Sequence, residues 1–238
     1  MMELAEKLRS LAIGLFLLSA GIAIAQDVSV TGHIIVGAEP PAKSSSVVWL
    51  TPVDAGTRTK PAPTQNATLR QKNKAFAPRL LVVTAGSSVQ FPNDDPWFHN
   101  VFSLFNGKRF DLGLYEAGTS RTVHFEREGV SYIFCNIHPE MSAVIVVVSS
   151  SYFAVPDKQG EYTIPGVALG RYLLHVWAEN AQPATLQALA REVQVSDNSR
   201  TLGTIRVPAD SSPALAHKNK YGQDYEPPSP NNPVYVQP

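Results

Sequence analysis

The strongest constraint on the fold is a short polar loop between two apolar runs. Residues 130–134 precede the loop and residues 143–148 follow it, and both runs are rich in β-branched and aromatic side chains. Such runs predict two β-strands. The loop holds the only cysteine of the chain, Cys135, with a histidine and then a methionine at three-residue intervals. One short loop is therefore expected to present three donor side chains, those of Cys135, His138 and Met141.

A fourth donor, His99, lies upstream and is expected on a neighbouring loop at the same end of a β-sandwich. A thiolate, two imidazoles and a thioether form the donor set of mononuclear blue-copper centres, in which the thioether is a weak axial ligand. Thiolate and thioether favour Cu(I), and imidazole accepts both oxidation states. The residues thus predict one type 1 copper per chain. The alternative is a cysteine and a methionine that only fill the core.

From about Phe76 to Val148 the chain resembles a cupredoxin of the plastocyanin/amicyanin family. The resemblance follows an ordered series of motifs, at residues 76–78, 81–83, 89–93, 99–100, 129 and 135. The Cys-x-x-His-x-x-Met spacing is similar to the amicyanin ligand loop, whereas plastocyanin usually has a longer interval before its methionine. The resemblance implies a Greek-key β-sandwich, electron transfer through the imidazole edge of His138, and an Asn100 that ties the ligand loops together by hydrogen bonds.

A second β-sandwich is predicted from the residues around this segment. Residues 157–162 form a D-x-x-G-x-Y turn pattern, and residues 170–177 alternate between apolar and polar side chains. This pattern resembles the carboxypeptidase regulatory-like, or transthyretin-like, domain. The first strands of that domain are missing directly before Tyr152, but suitable strands occur at residues 28–36 and 46–50. The predicted fold class is therefore all-β, with a cupredoxin sandwich and a second small sandwich.

Two domain organisations fit these strands. In the preferred one, residues 26–66 and 151–208 form one discontinuous sandwich, and the cupredoxin of residues 67–150 is inserted between them. Insertion is tolerated where the host strands end close together at the surface. In the other, a cupredoxin with an N-terminal extension precedes an independent sandwich. Residues 209–238 contain many Pro, Ser and Asn residues, so a flexible tail is expected; the alternative is a tail anchored on the body or on a partner by Tyr221, Tyr225 and Tyr235.

The N-terminus predicts export. Residues 1–25 combine Lys7 and Arg9 with a following apolar stretch that ends in Ala23-Ile24-Ala25, which is typical of a cleavable signal peptide. The apolar stretch is too short to predict a membrane span, so no stable span is expected after cleavage. A single cysteine cannot form an internal disulfide in an oxidising compartment, and copper ligation explains its presence. The expected location is periplasmic or secreted.

Charge and motifs limit the remaining functions. The chain has 20 basic and 20 acidic residues, and this neutral balance gives no indication of nucleic-acid binding. Four ligands fill the copper site, so the sequence predicts an electron carrier and no enzyme. By family resemblance its redox partners would be a c-type cytochrome or a periplasmic dehydrogenase. The alternative is a copper-delivery or ligand-recognition module without redox turnover. The four other histidines are expected to be ordinary surface or packed residues: His33, His124, His175 and His217.

Overall fold

The computed structural model describes residues 27–37, 45–54, 57, 62–104, 107–208 and 217–225. The predicted signal peptide, residues 58–61 and most of the predicted tail lie outside these ranges. No helix within the described ranges is long and apolar enough to cross a membrane.

The described residues form seventeen strands and one short helix, which confirms the all-β prediction. Their first twelve strands are Val28–Val36 (β1), Ser46–Pro52 (β2), Asn66–Thr68 (β3), Arg70–Lys72 (β4), Ala75–Ala77 (β5), Leu80–Thr84 (β6), Ser87–Pro92 (β7), His99–Ser103 (β8), Phe110–Tyr115 (β9), Ser120–Phe125 (β10), Gly129–Phe134 (β11) and Ser142–Val148 (β12). Five more strands and one helix follow: Phe153–Ala154 (β13), Glu161–Val167 (β14), Gly170–Ala178 (β15), Pro183–Leu189 (α1), Arg191–Val195 (β16) and Thr201–Val207 (β17).

Strands β3 to β12 form the unit that carries the predicted copper ligands, here called the ligand unit. Its two main sheets have the strand orders β6-β12-β11-β8-β9 and β10-β7-β3. The period-2 pattern of β7 places Val89 and Phe91 in the core and leaves Gln90 exposed. Cys135 and Met141 belong to the same buried cluster as these two side chains. The ligand loop is therefore anchored in the core of its own unit.

Strand β12 is buried on both faces. Ala143, Ile145 and Val147 pack into the core of the ligand unit. Val144, Val146 and Val148 point the other way and pack with Val47 and Trp177. A strand covered on both faces needs a continuous apolar run instead of an alternating one, which explains the sequence of residues 143–148.

The remaining strands build a second unit, here called the split unit because its strands come from both ends of the described chain. Strand β1 lies between β14 and β17, with Thr31 opposite Thr163 and Ile34 opposite Ile205. Strand β2 pairs with β13 and β15 in a second sheet, which β16 completes. Strands on both sides of the ligand unit thus share one core, whose centre includes Val30, Leu50 and Ile164.

An ion pair between an exposed arginine and a buried glutamate also joins the two units. Arg79, just before β6, donates from Nη2 to Glu179 Oε1 at 2.5 Å and from Nε to the same oxygen at 3.2 Å. The Glu179 side chain is 8% exposed, so loss of Arg79 would leave a buried carboxylate without this counter-charge. Together with the apolar contacts of β12, this pair fixes the ligand unit on the split unit.

Gly160 provides a test of the turn that closes the split unit. Its φ is +85°, and an added Cβ would lie 2.2 Å from the backbone oxygen of Ile34. We expect Gly160→Ala to lower the free energy of unfolding by about 2–4 kcal/mol, because left-handed strain adds to a clash with backbone that cannot move away. Urea unfolding measures the effect.

Gly203→Ala is the matched control for this substitution. Its φ is +69°, but an added Cβ would meet no atom within 4 Å. We expect a loss of only about 1–2 kcal/mol, from the strain alone. Equal losses in the two variants would contradict the packing of Gly160 against β1.

Candidate metal centre

Three strands bring the four predicted ligands to one end of the ligand unit. His99 is the first residue of β8, Cys135 follows the last residue of β11, and Met141 precedes the first residue of β12. Strand β11 lies between β8 and β12 and is antiparallel to both. The start of β8, the end of β11 and the start of β12 therefore meet at one edge of the sheet. His99 was expected on a loop, and it begins a strand instead.

Three donor atoms face one another in the core. The Nδ1 atoms of His99 and His138 are 3.1 Å apart, and the sulfur of Cys135 lies 3.9 Å from the first and 3.6 Å from the second. The point equidistant from all three lies about 2.1 Å from each, close to the bond lengths of about 2.0–2.1 Å to imidazole and 2.3 Å to thiolate known for zinc. The three side chains are all buried. Their spacing fits a single metal ion.

The donor set favours copper over other ions. A trigonal His₂Cys arrangement with a methionine on its axis is typical of blue-copper sites. Met141 is fully buried in the same apolar cluster as Cys135, and backbone hydrogen bonds fold the loop between them. The N–H of Cys135 donates to the Met141 carbonyl at 3.3 Å, and the N–H of Met141 donates to the His138 carbonyl at 3.1 Å. These two bonds fix the ligand loop at both ends.

Asp95 orients the first histidine. Nε2–H of His99 donates to Asp95 Oδ2 at 2.9 Å, so the lone pair of Nδ1 is left facing Cys135 and His138. The carboxylate also accepts the backbone N–H groups of Asn73 at 2.6 Å and Lys74 at 2.8 Å. Burial opposes ionisation, but these hydrogen bonds prevail and the pKa of Asp95 lies below its usual value. Carboxylates that hold ligating histidines in this way also strengthen metal binding.

Burial sets the protonation of the ligands. It lowers the pKa of His99, although Asp95 partly opposes this effect. It also lowers the pKa of His138, to about 4, and the neighbouring His99 contributes to the shift. For Cys135 burial has the opposite sign and raises the pKa of the thiol. At neutral pH the imidazoles are therefore unprotonated and ready to bind, whereas the thiol must lose a proton.

Asn100 joins the ligand strands through its backbone, and its side chain turns elsewhere. Its N–H forms a hydrogen bond with Cys135. The side-chain amide donates to Asp111 at 2.7 Å and to the Gly113 carbonyl at 2.9 Å, both on β9. The tie between ligand loops that the resemblance implied is thus made by the backbone, while these side-chain bonds attach β8 to β9.

Residues 217–225 lie against the ligand loop, which differs from the flexible tail expected there. His217 was expected to be an ordinary histidine of that tail, and it stacks on Phe134 directly before the ligand cysteine. The support that Asp95 gives to His99 was not predicted from the sequence. A carboxylate four residues before the first histidine is a weak indication in a sequence, because Asp is common in turns.

Several solved structures are similar to part of this chain. The purple cupredoxin from Nitrosopumilus maritimus is 26% identical over 34% of this chain and 99% of its own, with a TM-score of 0.32. Amicyanin from Paracoccus versutus is 20% identical over 41% of this chain and 96% of its own, with a TM-score of 0.32. The copper-containing nitrite reductase from Thermus scotoductus is 22% identical over 41% of this chain, with a TM-score of 0.34. The match covers only 25% of that protein. No family model and no curated protein matches the sequence.

These likenesses are partial, and the assignment of the ligands depends on the geometry of the site. The resemblance of the split unit to a carboxypeptidase regulatory-like domain stays a prediction. The same holds for the domain boundaries, although the strand pairing described above is the arrangement that insertion requires.

Asp95→Asn tests the hydrogen bond to His99. The asparagine side chain carries no negative charge. Its N–H₂ group would face the N–H groups that donate to the carboxylate in the wild-type protein, so His99 loses its orientation. We expect the affinity for copper to fall about 10–100-fold, measured by competition with a chelator. Asp94→Asn is the matched control, since that carboxylate pairs with the exposed Arg70. An equal loss in both variants would contradict a role specific to Asp95.

The protonation states predict how copper binding depends on pH. At pH 7 we expect Cu(II) binding to release about one proton, that of Cys135, because the two imidazoles carry none to lose. The affinity should therefore rise about tenfold per pH unit from about pH 5 upward, and fall more steeply with acid below about pH 4, where His138 takes up a proton. Calorimetric titration in two buffers of different ionisation enthalpy counts the protons. Release of two or more would mean that the imidazoles are protonated in the free protein.

Proposed function

We propose that this chain is an exported type 1 copper protein that carries single electrons between redox partners. Its ligands would be His99, Cys135, His138 and Met141, with one copper per chain. The observation that carries the proposal is the triangle of three buried donor atoms, whose centre lies at metal-bond distance from each corner. When bound, copper supplies a Cu(II)/Cu(I) couple that accepts and returns one electron.

The residues of the chain prepare the site for this exchange. The sheet fixes both ends of the ligand loop, and Asp95 fixes the His99 ring before any metal arrives. The four ligand side chains are buried, so few waters can reorganise when the charge of the site changes. A rigid, dry site costs little to switch between oxidation states. His138 is the most exposed of the four at 6%, which supports its ring edge as the exit for the electron.

Four ligands leave no coordination position for a substrate, which supports a carrier and not an enzyme. Candidate partners are a c-type cytochrome or a periplasmic dehydrogenase, in line with the family resemblance and the predicted signal peptide. We further propose that the ligand unit is inserted into the split unit, since β1 and β2 find their partners among β13, β14, β15 and β17.

A second candidate function is ligand recognition without redox turnover. A cavity of about 600 Å³ lies where the two units meet, and its lining includes Trp49, Tyr132, His175 and Trp177. Trp49 stacks on His175 at 5.0 Å between ring centroids. Apolar and aromatic pockets of this size are typical of small-molecule sites. This function would leave the metal with a structural or delivery role and predicts little redox activity.

Titration of the purified protein with Cu(II) separates the two candidates. For the electron carrier we expect an intense thiolate-to-copper absorption band at one equivalent, bleached by ascorbate and restored by oxidation. Cys135→Ser removes the only thiolate and should abolish the band. A colourless protein, or copper that is bound but not reversibly reduced, would exclude the carrier and favour recognition or delivery.

A further inference from the structure

A short segment near the C-terminus, residues 217–225, folds onto the ligand loop. The segment is organised around Asn219, whose side-chain oxygen accepts the N–H groups of Tyr221 at 2.9 Å and Gln223 at 3.0 Å. The N–H of Asn219 donates to the carbonyl of Gln223, and that of Gly222 donates to the carbonyl of Asn219, both at 2.9 Å. The segment therefore forms a defined turn of its own, and this turn packs against the ligand loop.

Lys220 anchors this turn at two points. Its backbone N–H donates to Asn136 Oδ1 at 2.9 Å, directly beside the ligand cysteine. Its ammonium group donates to Asp111 Oδ2 at 2.8 Å, and the other oxygen of the same carboxylate accepts from Asn100. Asp111 thus links the segment to the residue whose backbone N–H bonds with Cys135.

His217 covers the start and the middle of the ligand loop. Its ring stacks on Phe134 with 3.7 Å between centroids and 24° between planes. Its Nε2 lies 3.1 Å from the carbonyl oxygen of Pro139. A carbonyl can only accept, so this bond forms in the tautomer that carries its hydrogen on Nε2, in which Nδ1 donates nothing to the carbonyl oxygen of Lys218 3.0 Å away. Pro139 lies between the ligands His138 and Met141, so this bond restrains the stretch of loop that both ligands need.

Tyr225 reaches the ligand cysteine itself. Its hydroxyl donates to the carbonyl oxygen of Cys135 at 2.8 Å, and the same hydroxyl lies 3.1 Å from Nδ1 of His217. The positive end of the O–H dipole therefore points at the peptide group of the residue that supplies the thiolate. A fixed dipole at this place favours the oxidation state with less positive charge, because it adds positive potential at the site.

We propose that residues 217–225 complete the metal centre. Tyr225 and His217 are positioning residues that hold the ligand loop and raise the reduction potential of the bound copper. The proposal rests on the proposed copper function. It assigns a role to a part of the chain whose sequence resembles a solvated tail, and it places part of the redox tuning on residues about 90 positions away from the cysteine.

The test uses the full chain loaded with copper and measures the reduction potential by spectroelectrochemical titration. Tyr225→Phe removes only the hydroxyl. We expect the equilibrium constant for reduction to fall between about twofold and tenfold, where tenfold is about 59 mV for a one-electron couple. Tyr221→Phe is the matched control in the same turn, because that side chain is 71% exposed and should leave the potential unchanged.

The outcomes separate this proposal from the copper function. If the wild-type protein shows no thiolate-to-copper band, the proposed function fails. If it shows the band and Tyr225→Phe keeps the wild-type potential, only the role of the segment is overturned. Equal shifts in Tyr225→Phe and Tyr221→Phe would overturn it as well, since the hydroxyl on Cys135 would then not be the cause.

His217 gives a second measurement that does not depend on the potential. His217→Phe keeps a ring to stack on Phe134 and loses the bond to Pro139, whereas His217→Ala loses both contacts. We expect copper release to a chelator to accelerate severalfold in His217→Ala and less in His217→Phe. Release at the wild-type rate from His217→Ala would overturn the proposal that the segment holds the loop.

Discussion

The crowding of three metal-binding atoms in a buried space is the constraint on which the rest of the structure depends. Two imidazole nitrogens and a sulfur lie within 4 Å of one another, and burial keeps water from separating them. Lone pairs so close together repel unless a cation or a proton lies between them. The ligand unit maintains this arrangement because His99 begins a paired strand, because Cys135 and Met141 flank two others, and because Asp95 is itself held by two backbone N–H groups. Folding supplies the free energy that brings the donor atoms together, so metal binding does not have to supply it.

The sequence predicted the donor side chains of the site better than the contacts that hold them in place. The spacing of Cys135, His138 and Met141 between two apolar runs sufficed for the ligand loop, because three donors lie within seven residues of one another. Asp95 lies only four residues before His99, but the backbone N–H groups that hold it are 21 and 22 residues away, and Lys220 reaches Asp111 across 109 residues. No local pattern encodes these longer contacts. The same limit applies to residues 217–225, whose composition is that of a solvated chain. These side chains gain their positions from hydrogen bonds to a surface that exists only after the sheet has formed.

Strand β12 explains why the two units form one body. Three of its side chains pack in the core of the ligand unit and three pack with Val47 and Trp177 of the split unit, so its sequence serves two interiors at once. The Arg79–Glu179 pair adds a directional contact nearby. Because β12 begins next to Met141, any shift between the units would be passed to the ligand loop. The split unit therefore also stabilises the geometry of the donors.

The pairing of β1 with β17 has a consequence for how the chain reaches this state. A chain made from its N-terminus presents β1 first, yet both neighbours of that strand arrive more than 120 residues later. The ligand unit is complete at residue 148 and can fold while β1 and β2 still lack the partners that they have in the finished sheets. Unpaired apolar strands are sites of aggregation, and contacts so distant in sequence form slowly. The order of synthesis thus lets the ligand unit fold first and makes the closing of the split unit, together with the docking of residues 217–225, the late and vulnerable step of biogenesis.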